Sequence, residues 1–322
     1  GLCFVRQNSD NQIVMTSYGR SSGFVIDPIE KKPLNHFYPG TPVFSFGTAG
    51  CNLACKFCQN WDISKSREMD KLMSRAGPEQ IAQTALTHGC ASVAFTYNDP
   101  VIFHEYAIDV AQACREAGLK SVAVSAGYMC AEPRAEFYRG MDAANIDLKA
   151  FSEKFYREIT GSHLQPVLET LEYIRRETRV WLEITTLLIP GENDSPAELD
   201  ALTRWVMDKL GPDVPLHFSA FHPDWKMRDK SRTPASTLLQ AREIALANGL
   251  RYIYVGNVHN HAASSTYCHQ CGELLIGRDW YVLSDWNLDA HGHCRFCGAL
   301  CAGYFLEESG TWGAKRQVVT MA

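Results

Sequence analysis

Pro42-Val43-Phe44-Ser45-Phe46-Gly47-Thr48-Ala49-Gly50-Cys51-Asn52-Leu53-Ala54-Cys55-Lys56-Phe57-Cys58 sets a short β-rich run directly ahead of three cysteines spaced C-x3-C-x2-C. Gly47 and Gly50 let the backbone wrap closely round whatever the thiolates hold. Three thiolates are one short of the set that closes a four-iron cube, so one iron would stay open to take a small molecule directly. The same open-position logic separates catalytic from structural zinc.

Outward from this loop, short apolar runs alternate with helical segments, the pattern of repeated β/α units with parallel strands. The runs are Pro42–Phe46, Ala91–Thr96, Ser121–Val124, Ala144–Leu148, Val180–Thr185, Leu216–Ser219 and Tyr252–Val255. Helix punctuation falls between them: Pro78, Val101 to Ala117 before Gly118, Ser152 as an N-cap, Pro196 in a first turn, and Pro234 to Asn248 before Gly249. No G-x-G-x-x-G follows the first run, which argues against a dinucleotide fold. Polar residues cluster at the C-terminal ends of the runs: the cysteines, then Asn98 and Asp99, Asp147 and Lys149, Glu183 to Thr186, and His222. In a β/α barrel these ends share one mouth, which favours an α/β barrel over an open doubly wound sheet.

Residues 1–42 read as an irregular lead-in, 43–260 as the barrel, 261–305 as a small module and 306–322 as a tail. The module holds Cys268-His269-Gln270-Cys271-Gly272 and Cys294-Arg295-Phe296-Cys297-Gly298, two knuckles that suit one metal, zinc or iron. About forty residues cannot build a stable core unaided, so the metal would supply folding energy. Cys90, Cys114 and Cys130 read as small core residues.

The 322-residue chain is 46% hydrophobic with a formal charge of −5, becoming about −8 once both cysteine groups are loaded. That disfavours nucleic acid. No apolar stretch is long enough to span a membrane. Twelve cysteines, seven of them in tight groupings, with no apolar leader, suit metal binding in a reducing cytoplasm. The first residue is Gly1 rather than Met, and the chain reads as truncated or processed upstream.

The cysteine triad, with aromatic Phe57 just before Cys58, resembles the signature of the radical S-adenosylmethionine (SAM) superfamily. The resemblance implies an α/β fold, an incomplete (β/α)6-type TIM barrel with the small metal-binding module at its C-terminus, and a 4Fe-4S cluster on Cys51, Cys55 and Cys58, with SAM chelating the fourth iron. It implies reductive cleavage of SAM to methionine and a 5'-deoxyadenosyl radical that abstracts hydrogen from a substrate. Phe57 would lie near the adenine. Thr96-Tyr97-Asn98-Asp99-Pro100 lies where the methionine amino group is usually held. Asp147-Leu148-Lys149 resembles the pyruvate formate-lyase activase branch, with Lys149 meeting the SAM carboxylate and Asp147 binding SAM or a cation. His222 resembles a histidine near the nucleoside.

Asp27-Pro28-Ile29-Glu30-Lys31-Lys32-Pro33-Leu34, His36-Phe37-Tyr38-Pro39-Gly40, Cys58-Gln59-Asn60-Trp61, Ile189-Pro190-Gly191-Glu192-Asn193-Asp194 and the closing knuckles resemble the radical SAM enzymes of the AmmeMemoRadiSam system. Departures from that group are Asp99 for glutamate, Ala126 for asparagine, an extra Cys301, and Cys3, an orphan if a preceding cysteine-containing stretch is absent. The implied partners are an unidentified substrate, a protein or a small molecule, and an electron donor such as flavodoxin or ferredoxin. A glycyl-radical activase is the rival within enzymology. A non-catalytic iron–sulfur and zinc electron-transfer or scaffold protein is the rival outside it. Asn98 and Asp99 also suit an ordinary turn before Pro100, and Glu183 suits an interior structural hydrogen bond.

Overall fold

A computed structural model of the chain describes residues 3–65 and 74–321. Its main sheet has nine strands. Seven run parallel and in chain order: Pro42–Phe46, Ser92–Phe95, Lys120–Ser125, Ala143–Asp147, Trp181–Leu188, Leu216–Ala220 and Ile253–Gly256. Helices occupy each of the six crossovers, so six β/α units and a seventh strand wind one way round an open barrel. The expected partial barrel is present. Helix signals hold locally: Ser195 accepts a hydrogen bond from Glu198 N at 3.3 Å, Pro196 opens Pro196–Leu210, and Gly211 follows it. Pattern reading passed over the helices Ala131–Arg139 and Leu164–Glu177. Among the described residues no helix is long and apolar enough to cross a membrane.

Successive residues of each buried strand face opposite layers, as the two-residue period demands. Phe44, Val93, Ala123 and Ala144 join the large core under the helices, with Ile81, Tyr106, Phe137 and Leu171. Their neighbours Val43, Ala94, Val122 and Ala143 face inward and meet Ile29, Leu34 and Phe37. Those last three come from the segment expected to be irregular. The segment in fact supplies the strand Phe24–Pro28, antiparallel to Pro42–Phe46, and then plugs the barrel interior. The tail strand Gln317–Val319 pairs antiparallel with Phe24–Pro28 and extends that edge. Each buried apolar side chain of the plug contributes about 1.5–3 kcal/mol relative to exposure.

One carboxylate fastens the plug. Glu183, fully buried on the fifth parallel strand, accepts hydrogen bonds from Asn35 N at 3.0 Å, His36 N at 2.8 Å and Trp181 Nε1 at 3.0 Å, and meets His217 Nε2 at 2.7 Å. Burial opposes its charge, but these donors hold its carboxyl below the usual glutamate range. Its role is that of an interior structural group.

The module follows the seventh strand as three antiparallel strands, Thr266–Tyr267, Leu274–Asp279 and Val282–Trp286. It packs Leu275 and Ile276 on Tyr252 and Tyr254 of the barrel. In each knuckle a glycine at φ +77° returns its N–H to the first cysteine carbonyl, Gly272 to Cys268 at 2.9 Å and Gly298 to Cys294 at 2.8 Å.

Glu183→Ala leaves buried donors unpaired and is expected to cost about 3–5 kcal/mol in urea unfolding. Glu183→Gln, which keeps an acceptor oxygen, should cost clearly less. Equal losses would show that shape rather than hydrogen bonding fastens the plug.

Candidate active site

Gly47 to Gly50 leave the first barrel strand and are gripped by Asn98 from the second. Asn98 Oδ1 accepts from Thr48 N at 3.2 Å and Nδ2 donates to Gly50 O at 2.8 Å. Contact is close enough that a Cβ on Gly47 would lie 2.3 Å from Thr96 O, and one on Gly50 (φ +85°) 2.1 Å from Cys3 O. The cysteine loop is therefore set by backbone approach that only glycine permits. From its other side, Ala54 N and Lys56 N donate to Thr160 O and Ile159 O.

Cys51, Cys55 and Cys58 line one wall of a cavity of about 510 Å³ at the C-terminal ends of the strands. That volume lies in the usual range for a small-molecule site. Burial pushes the Cys55 thiol up to about 12, with Lys149 acting against it, and raises Cys51 as well. Thiols in such a place become thiolates on binding a cationic metal group. Among the described residues, the His, Cys, Asp and Glu grouping close enough for one ion is Cys268, Cys271, Cys294 and Cys297, with all ligand atoms within 4.8 Å. There Cys268 Sγ lies 3.6 Å from Cys297 Sγ, and Cys271 Sγ 3.7 Å from Cys294 Sγ. A tetrahedron with metal–sulfur bonds of about 2.3 Å has edges of this size. The three loop sulfurs are not gathered that tightly, which suits a cluster of several metals rather than a single ion. Both donor sets thus fit the groups the sequence implies.

The other sequence-chosen residues divide. Phe57, buried beside Phe155, lines the cavity together with Asn98, Asp99, Asp147 and Lys149. Lys149 Nζ donates to Asp147 Oδ2 at 2.8 Å and sits 5.7 Å from the Phe57 ring centre. Burial works against its charge, yet Asp147 and Cys55 raise its pKa. Asn193 fixes the adjoining backbone, donating to Lys149 O at 2.6 Å and Leu187 O at 2.9 Å. Asp99 is buried and much occupied: it accepts from Val101 N at 3.1 Å, Ala126 N at 2.8 Å and Ser125 Oγ at 3.0 Å. It therefore also makes the expected turn into Pro100. His222 is exposed and does not line this cavity. Cys301 is buried, 3.8 Å from His36 Nδ1, and stands outside the four-cysteine group.

Sequence reading missed much of the cavity. Glu30 and Lys32 line it from the plug, His217 and Tyr254 from the strands, and Arg278, Trp280 and Tyr281 from the module. Asp27, fully buried, binds Lys31 Nζ and Lys32 Nζ, each at 2.8 Å, and accepts from Tyr97 OH at 3.0 Å. Burial brings Lys32 down to about 8 against the pull of Asp27, and lifts Glu30 to about 7 against Arg278. The Asp27 to Leu34 motif was the available signal, but nothing in its spacing shows that it turns inward.

Comparison with known proteins meets this geometry. Residues 46–202 match the model of the radical SAM superfamily. The chain is 39% identical over 299 residues to the uncharacterized protein MJ0808 of Methanocaldococcus jannaschii, covering 92% of this chain and 89% of that one. It is 22% identical over 257 residues to the GTP 3',8-cyclase of Limosilactobacillus fermentum, covering 73% and 76%. Among solved structures, Streptococcus suis SuiB bound to its precursor peptide SuiA matches with TM-score 0.54 at 14% identity, over 72% of this chain and 52% of that one, a likeness of fold. With three thiols opening onto the mouth of a partial barrel and a near full-length relative, the chain belongs to the radical SAM superfamily and is an enzyme of that class.

Proposed function

We propose that this enzyme cleaves SAM reductively at a 4Fe-4S cluster on Cys51, Cys55 and Cys58 and uses the resulting radical to take hydrogen from a substrate held in the same cavity. The observation that carries the reading is that the three thiols and the charged pair Asp147–Lys149 line the same cavity. When bound, the cluster supplies the electron and SAM the radical precursor.

The chain's own residues do the rest. Lys149, released from Asp147, meets the SAM carboxylate in a charge-assisted bond. Asp147 and Asp99 give the wall negative charge for an ammonium group. Asn98 acts through the loop, keeping the cysteines in register. Phe57 offers an apolar face to the adenine. The plug closes the barrel interior beneath the cavity and limits water there, which suits radical chemistry. An external one-electron donor such as a flavodoxin or ferredoxin supplies the reductant.

The motifs from Asp27 to Gly40 and at Cys58 to Trp61 support placing the chain in the AmmeMemoRadiSam group. The Asp147-Leu148-Lys149 motif favours kinship with glycyl-radical activases. A stable glycyl radical raised on a partner protein, seen by electron paramagnetic resonance, would select that narrower reading.

For the four C-terminal cysteines we propose structural zinc. The strands Leu274–Asp279 and Val282–Trp286 lie between the knuckles and carry Arg278, Trp280 and Tyr281 to the cavity, so a metal there holds a cavity wall in place.

Two outcomes are expected. Anaerobically loaded and reduced protein releases 5'-deoxyadenosine from SAM without added substrate, and Cys55→Ala abolishes the release. A full cluster with no product would sink the reading. The pair Cys271→Ser and Cys297→Ser loses one zinc per chain by metal analysis and melts earlier, yet still cleaves SAM. Loss of cleavage with the 4Fe-4S cluster intact would instead mark the module as an electron relay.

A further inference from the structure

The cavity wall supplied by the module holds a buried guanidinium that makes no ion pair among the described residues. Arg278 is 1% exposed and lines the cavity. Its Nη1 donates to Thr266 Oγ1 at 2.6 Å and its Nη2 to Asn35 O at 2.7 Å, both uncharged acceptors, while its Nε has no partner. Among the described residues, two of its five N–H donors are taken. Tyr254 lies under the guanidinium, with its ring centre 5.7 Å away.

Among the described residues no carboxylate forms an ion pair with Arg278. Glu30 feels its charge through space, but Glu30 Oε1 is taken by Gly40 N at 2.7 Å, and Oε2 is itself buried without a partner. Burial holds the Glu30 carboxyl near 7, so it offsets only part of the arginine's charge at neutral pH. Asp27 is committed to Lys31 and Lys32, and Glu183 to the plug and His217. A guanidinium cannot shed its proton to escape burial, and a buried charge left unpaired is strongly unfavourable. An anion entering the cavity would supply the missing partner.

We infer that Arg278 anchors an oxyanion of the substrate, a carboxylate or a phosphate, through the fork of donors it keeps free. A planar fork matches two oxygens of either group. Assigning the oxyanion to the substrate rests on the radical SAM reading of the cavity; the binding of an oxyanion does not. SAM's own carboxylate is assigned to Lys149, so the site is separate from the cofactor's.

The test uses full-length, cluster-loaded, SAM-bound protein titrated calorimetrically with succinate, inorganic phosphate and the neutral analogue succinamide. At least one oxyanion should bind saturably, and succinamide should not. Preference for succinate assigns a carboxylate and preference for phosphate assigns a phosphate. Arg278→Gln should weaken the oxyanion by about tenfold or more. Arg278→Lys, which keeps the charge but loses the fork, should fall between and serves as the comparison if the glutamine variant folds poorly. Both variants should keep the four-cysteine metal and the release of 5'-deoxyadenosine. The inference is overturned if neither oxyanion binds, if Arg278→Gln binds equally well, or if the variants lose SAM instead. Absence of 5'-deoxyadenosine from the wild type would defeat the radical reading alone, with the titration still reporting on Arg278.

Discussion

Glu183 organises more of this structure than its position in mid-strand suggests. A carboxylate with no exposed surface survives only if hydrogen bonds replace its water, and here two plug amides, the Trp181 indole and His217 do so. The bonds from Asn35 and His36 fix where the plug enters the barrel. From that point Asn35 O reaches Arg278, and His36 meets Tyr254 and Ala302 O. The plug, the sixth and seventh strands and the module are thus keyed to one another through a polar network whose members would be costly to leave unpaired.

The two cysteine groups solve different physical problems. Four sulfurs drawn to tetrahedral spacing, two buried and two exposed, suit one ion with a closed coordination shell. Three sulfurs spread along a loop and opening onto a cavity leave coordination to be completed from outside the protein. The loop needs no secondary structure of its own, because Asn98 and the glycine contacts define its path.

What could be read from the sequence followed from burial on both faces. Each of the seven parallel strands is an apolar run bounded by turn residues, because helices cover one side and the plug or cavity residues the other. The knuckles and the triad were legible because metal chemistry dictates spacing. The plug was not, since Ile29, Leu34 and Phe37 have no helical or strand period and acquire meaning only inside a barrel. Asn98 and Asp99 showed themselves as polar residues at a strand end, but whether they hold a ligand or the protein depends on donors from Thr48, Ser125 and Ala126, which only the fold brings together. Nothing in the sequence sets Arg278 apart from a surface charge. Its burial comes from the docking of that module onto Tyr252 and Tyr254.

Charge along the cavity wall then carries its own logic. Near the thiols, Lys149 and Asp147 form a pair, so that wall can exchange internal partners for those of a zwitterion without changing its net charge. A methionine moiety, with one ammonium and one carboxylate, is such a ligand. The plug and module present buried Lys32 and Arg278, with exposed Lys31 beside them, against Asp27 and a Glu30 lifted toward neutrality, an excess of positive charge. Low dielectric makes that excess weigh heavily, and it acts selectively on anions. On the proposed reading, the cavity would meet its two occupants differently: a balanced wall for a zwitterionic cofactor and a cationic one for an acidic substrate. Since the cationic wall depends on a hairpin held between two cysteine knuckles, a metal in the module would, on the same reading, support substrate choice without touching the chemistry at the thiols.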